Sequence, residues 1–135
     1  MALVSAADGE RQLALLAAGL WFVSESDRPL TVVRFEPYAD DELPSALAAV
    51  SERRGALVER VALAEFFARA TEPQPWHSPE EVAIVERYRA LVTFLARELT
   101  GARVYRVGTV DVNAYALGRT REGEWLGVAT ILVET

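Results

Sequence analysis

The runs RVYRVGTV (residues 103–110), VNAYALGR (residues 112–119) and WLGVATILV (residues 125–133) follow one another with almost nothing between them but the turn Arg121-Glu122-Gly123-Glu124. Each is rich in β-branched and aromatic residues, which is strand composition. Gly123, with apolar runs on both sides, signals a hairpin between the last two. Strands that follow directly pair antiparallel, so the final third of the chain predicts an antiparallel sheet.

Working upstream, the pattern changes period. Ser78 with Pro79 at the first helical position and Glu81 at the third has the form of a capping box. The helix it opens is expected to run to about residue 99, with Ile84, Tyr88, Leu91 and Leu95 on one stripe and Val85, Val92 and Leu99 beside it. Gly101 is expected to stop it. Before it, Thr71-Glu72-Pro73-Gln74-Pro75-Trp76-His77-Ser78-Pro79 holds three prolines in seven residues and predicts an exposed, stiffened loop. Further back lie a helix capped by Ser5 or Asp8 and carrying Leu13, Leu16, Ala17 and Leu20, a strand over residues 30–35 after Pro29, and an Ala-rich helical stretch within residues 37–55. A strand over residues 57–61 and a short helix over residues 63–70 complete the pattern. Helices early and in the middle with sequential strands late predict an α+β fold, helices packed on an antiparallel sheet.

The chain has 135 residues, half of them hydrophobic, which suits one domain over residues 1–135. It has no cysteine, so disulfides, thiol nucleophiles and Cys-ligated metals are excluded. The net charge is −6, from 20 acidic residues against 14 basic ones, all arginine. An acidic chain is a poor direct binder of nucleic acid and a good partner for a basic protein. The first residues carry no basic and apolar leader pattern, and no apolar run reaches membrane-span length. The expectation is a cytoplasmic protein with no membrane contact.

Catalytic patterns are sparse. His77 is the only histidine, and no Gly-x-Ser-x-Gly elbow, Gly-rich phosphate loop or His-Glu-x-x-His motif is present. Twenty carboxylates offer pairs but no specific spacing. Three other features stand out. The run Thr130-Ile131-Leu132-Val133-Glu134-Thr135 would hold the Glu134 carboxylate and the Thr135 oxygens together as hard ligands for a divalent metal or a cationic pocket, or would be an edge strand that stops at the surface. Ser24-Glu25-Ser26 sets a carboxylate between two hydroxyls in a turn, a phosphate mimic or an ordinary turn. Trp76 in its proline loop is an interface anchor or a side chain tucked into the core.

Four ordered blocks carry a resemblance: Trp21-Phe22-Val23-Ser24-Glu25-Ser26-Asp27-Arg28-Pro29; Phe66-Phe67-Ala68-Arg69-Ala70-Thr71 on through Pro73 to Trp76; Val104-Tyr105-Arg106-Val107-Gly108; and Val133-Glu134-Thr135. Together they resemble the nuclease A inhibitor family over nearly the whole chain, least so over residues 37–57. The resemblance implies an α-β-α sandwich with an antiparallel sheet and a pathogenesis-related-1-like topology. It implies a bacterial, cytoplasmic inhibitor, monomeric when free and with no cofactor of its own, of a basic, magnesium-dependent nuclease that cuts DNA and RNA non-specifically. It further implies that the Thr135 hydroxyl coordinates the nuclease's Mg2+ beside Glu134, and that Glu25, flanked by Ser24 and Ser26, takes the place of the scissile phosphate. Trp76 corresponds to the tryptophan of an Asp-Trp contact, whose aspartate is replaced here by Pro75. The competing readings are a domain of the same fold that binds another protein or a small ligand, and an enzyme using carboxylates.

Overall fold

The computed structural model describes residues 3–23 and 27–134. Helix α1 (Ala6–Ala17) begins where the Ser5 hydroxyl accepts the Asp8 N–H at 3.2 Å, which satisfies one of the donors a helix start leaves open. A two-residue antiparallel ladder, β1 (Trp21–Phe22) with β2 (Arg28–Pro29), leads into β3 (Thr31–Phe35). Then come α2 (Leu43–Val50), β4 (Val58–Val61), the single turn α3 (Leu63–Phe66) and α4 (Pro79–Glu98). The chain closes with β5 (Thr100–Val107), β6 (Asp111–Arg119) and β7 (Trp125–Val133).

The capping box at the start of α4 is reciprocal: Glu81 N–H donates to the Ser78 hydroxyl at 3.2 Å and Ser78 N–H donates to the Glu81 carboxylate at 2.8 Å. The backbone bond from Ser78 holds the Glu81 carboxyl below its ordinary pKa. The strand over residues 112–119 and the one at Trp125–Val133 stand where the sequence predicts them, joined by the hairpin at Gly123.

Three expectations are corrected. Gly101 does not terminate α4: the helix ends at Glu98, Leu99 is already extended, and Thr100 starts β5. Gly101, at φ +64°, sits where the β5–β6 register shifts between Thr100 and Arg103, so its left-handed backbone serves a bulge. Ile84 is not on the buried stripe of α4. Val85, Tyr88, Leu91, Phe94 and Leu95 are buried, whereas Ile84 is 47% exposed because it stands at the N-terminal end of the helix, over a groove. The short helix expected over residues 63–70 stops at Phe66, with Thr71 folded back onto the Phe67 carbonyl through both its N–H and its hydroxyl.

β3 to β7 form one antiparallel sheet in the order β3-β7-β6-β5-β4. Successive strand residues point to opposite faces, and both faces are apolar here. On one face Val104, Val112, Ala114, Ala116, Leu126, Val128 and Leu132 meet α1, α3 and α4 through Leu13, Leu63, Phe67, Tyr88, Leu91 and Leu95. On the other Tyr105, Val107, Tyr115, Leu117 and Trp125 meet Leu43, Leu47 and Ala48 of α2. Burial on both sides is why β6 and β7 read as near-continuous apolar runs. The Trp125 indole N–H finds the Tyr38 carbonyl at 2.9 Å, and the Arg119 guanidinium lies 4.2 Å from the ring centroid. Gly127 of β7 is required by contact: a Cβ there would fall 1.7 Å from the Ala116 carbonyl oxygen.

Candidate functional site

A groove of about 980 Å³ opens between the β1 segment, α3, the N-terminal half of α4 and the far end of β7. Its wall is aromatic. Phe22 stacks on Phe66 at 4.8 Å, and meets Phe67 and Tyr88 edge-on at 5.8 and 6.3 Å. Tyr88 reaches from α4 to donate its hydroxyl to the Trp21 carbonyl at 2.8 Å, and burial pushes its phenol well above the usual tyrosine range. That bond ties the short β1 strand to the longest helix. Trp21 is 53% exposed, and Val23 is exposed beyond it.

Ser24, Glu25, Ser26 and Thr135 lie outside the described residues. Their neighbours do not. Trp21, Phe22 and Val23, which precede the Ser-Glu-Ser motif in the chain, line the groove, and so do Leu132, Val133 and Glu134, which precede Thr135. Two motifs more than 100 residues apart are thus approached from the walls of one cavity. Pro75 and Trp76 occupy the expected loop between α3 and α4. Gln74 and His77 close it twice: His77 N–H donates to the Gln74 carbonyl and Gln74 N–H donates to His77 Nδ1, both at 3.1 Å. Trp76, between them, is 76% exposed with its ring edge-on to His77. The core alternative for this tryptophan is therefore overturned. His77 itself lines the groove, which puts the loop that carries Trp76 beside it.

Charge enters at the end near β7. The Glu134 N–H donates to the Val110 carbonyl at 2.8 Å, and its carboxylate accepts from the Arg106 guanidinium. Arg106 Nε also faces Glu59 at 3.7 Å. Glu134 is thus a paired carboxylate, not the free hard ligand its sequence position implies. Among the described residues no three histidine or carboxylate side chains gather as a metal-binding cluster, and no helix is long and apolar enough to cross a membrane. A second hollow of about 550 Å³ on the opposite face of the sheet, between β2, β3, the middle of β6 and β7, touches Arg28, Pro29, Thr130 and Ile131 of the quoted segments but neither Trp76 nor Glu134.

Sequence reading did not find Trp21, Val23 and Ile84 as exposed apolar rim, or Arg106 as the partner of Glu134. Trp21 and Val23 sit inside a quoted block without a pattern to mark them as exposed, and the Arg106–Glu134 pair joins residues 28 apart in sequence across an intervening strand.

A family model described as nuclease A inhibitor-like protein matches residues 8–135. No curated protein matches the chain. The match spans the five-stranded sheet, α2 to α4, most of α1 and both walls of the groove, and the chain belongs to the nuclease A inhibitor-like family.

Proposed function

We propose that this protein is a binding protein, not an enzyme, and that it inhibits a basic, magnesium-dependent, non-specific nuclease by filling its active site. In this reading the Thr135 hydroxyl meets the nuclease's Mg2+, Glu25 takes the position of the scissile phosphate with Ser24 and Ser26 beside it, and Trp76 is a second anchor. The observation that carries the reading is the shared groove: the described residues leading to Glu25 and to Thr135 line the same cavity, with the Trp76 loop at its rim. Magnesium keeps most of its waters and takes one or two protein oxygens, so a single hydroxyl is a sufficient ligand. Glu134 being held by Arg106 favours the neutral hydroxyl over the neighbouring carboxylate for that role. The chain's net charge of −6 complements a surface built to bind nucleic acid.

The proposal extends to a single domain that works as a monomer in the bacterial cytoplasm, with no cofactor of its own and no direct nucleic-acid contact. Helices on both faces of an antiparallel sheet support a pathogenesis-related-1-like topology. One observation favours a second reading: an aromatic groove of about 980 Å³ falls within the size range of small-ligand pockets. Titration of a magnesium-dependent non-specific nuclease with the wild type, Glu25→Gln and Thr135→Val separates the two. The inhibitor reading expects stoichiometric inhibition by the wild type, severely but measurably weakened on Thr135→Val and weakened by on the order of 2–5 kcal/mol on Glu25→Gln. Wild-type protein without effect on such a nuclease sinks it.

A further inference from the structure

We infer that Arg106 is a positioning residue that sets the end of β7 for its partner, acting through Glu134. Arg106 stands on β5 opposite Ala114 of β6, and Ala114 in turn stands opposite Thr130 of β7. The guanidinium reaches past β6 to the Glu134 carboxylate, and its Nε faces Glu59 of β4 at 3.7 Å. Ala114 and Val112 are the β6 residues on this face at that level, small enough for the arginine to cross. One cation thus links three strands, and it is only 22% exposed.

Stability is a poor explanation for this trio. Glu59 and Glu134 remain well exposed, and pairs of that kind contribute roughly 0–1 kcal/mol. Geometry is a better one. Beyond the last paired residue of β7, Glu134 is held by two bonds: its N–H on the Val110 carbonyl and its carboxylate on Arg106. Without the cation, one bond remains on Glu134, and Glu59 and Glu134 both lose the guanidinium they share. A guanidinium serves here because its fork engages two carboxylates from fixed directions, which an ammonium does not. Glu134, the last described residue, is therefore a fixed base at the end of β7.

The inference rests on the inhibitor reading for what the β7 end touches, and its test keeps the two apart. Arg106→Met, Arg106→Lys, Thr135→Val and the double variant Arg106→Met/Thr135→Val are compared with the wild type as inhibitors of a magnesium-dependent non-specific nuclease. Hydrogen exchange at the Glu134 amide is followed in each free protein. Arg106→Met is expected to weaken inhibition on the order of 10-fold, the scale of one charged hydrogen bond, with Arg106→Lys recovering part of it. In the Thr135→Val background the Arg106 change is expected to add nothing, because the group it positions is gone. The Glu134 amide is expected to exchange faster in Arg106→Met. Additive losses, or an inhibition equal to wild type, overturn the positioning role. If wild-type protein inhibits no such nuclease, the inhibitor reading falls, and the exchange measurement decides alone: a Glu134 amide equally protected in Arg106→Met refutes the inference.

Discussion

Tyr88→Phe isolates the hydrogen bond that fastens β1 to α4. The Tyr88 ring is buried, and its hydroxyl donates to the Trp21 carbonyl at 2.8 Å. Phenylalanine keeps the edge-on contact with Phe22 and removes the donor, so the carbonyl loses its partner at a part-buried site. Leaving such a group unpaired costs about 1–2 kcal/mol net. For a chain of this size that corresponds to a fall in Tm of roughly 3–8 °C. A second signature lies in the pH dependence. Burial raises the folded-state pKa of Tyr88, so above about pH 10 the unfolded phenol ionises while the folded one keeps its proton. Stability falls as pH rises from there toward the folded value. Tyr88→Phe removes that contribution and flattens the alkaline limb. Thermal melts by circular dichroism from neutral to alkaline pH measure both. An unchanged Tm at neutral pH together with an unchanged alkaline slope would refute the reasoning, because it would mean that the carbonyl is satisfied without the hydroxyl.

Gly127→Ala drives a methyl into the Ala116 carbonyl, 1.7 Å away, and is expected to cost on the order of 3–5 kcal/mol, at the severe end for one substitution; a urea midpoint close to wild type would show that β6 and β7 are not so tightly apposed. On the acid side, the backbone bonds from Ser78 to Glu81 and from Ala6 to Glu122 lower both carboxyl pKa values, so their stabilisation is present above the ordinary glutamate range and is lost as pH falls through the lowered values. Ser78→Ala should cost about 1 kcal/mol at neutral pH, whereas Glu81→Gln, which removes the carboxylate that the Ser78 N–H holds, should reduce the acid sensitivity of the melting curve; a Glu81→Gln variant as acid-sensitive as wild type argues against the cap. Pro75→Asp sets a carboxylate beside an exposed Trp76, as the proposed second anchor would use, and should tighten binding to a magnesium-dependent non-specific nuclease by roughly 1–3 kcal/mol; unaltered binding would show that position 75 does not touch the partner.

Local signals survived best in this fold. The Ser78-Pro79-Glu81 start, the Gly123 hairpin and the Trp125–Val133 strand each depend on residues within a few positions of one another, and each stands where the chain implies it. Gly101 misled because a glycine after a helical run has two uses, a helix stop or a bulge, and only the pairing of β5 with β6 chooses between them. Ile84 misled because helical period gives the direction of a stripe but not the length over which a neighbour covers it. The two-residue ladder of β1 with β2 is too short for any period to declare. At the candidate site, the segments around Glu25, Trp76 and Thr135 were marked by the family resemblance, and the groove between their neighbours arises from contacts among α3, α4 and two distant strands that no linear pattern encodes. Arg106 belongs to the same class: its partner is defined by a strand order, not by a spacing.

The division of the apolar interior into two clusters on opposite faces of one sheet has a practical use. Helix α2 covers the cluster away from the groove, and Ser45 on its outer side is exposed. Since the chain contains no cysteine, Ser45→Cys would give a unique thiol, to which a dye or a chip surface can be coupled from behind. The sheet would then stand between handle and groove, leaving the immobilised protein free to capture its partner.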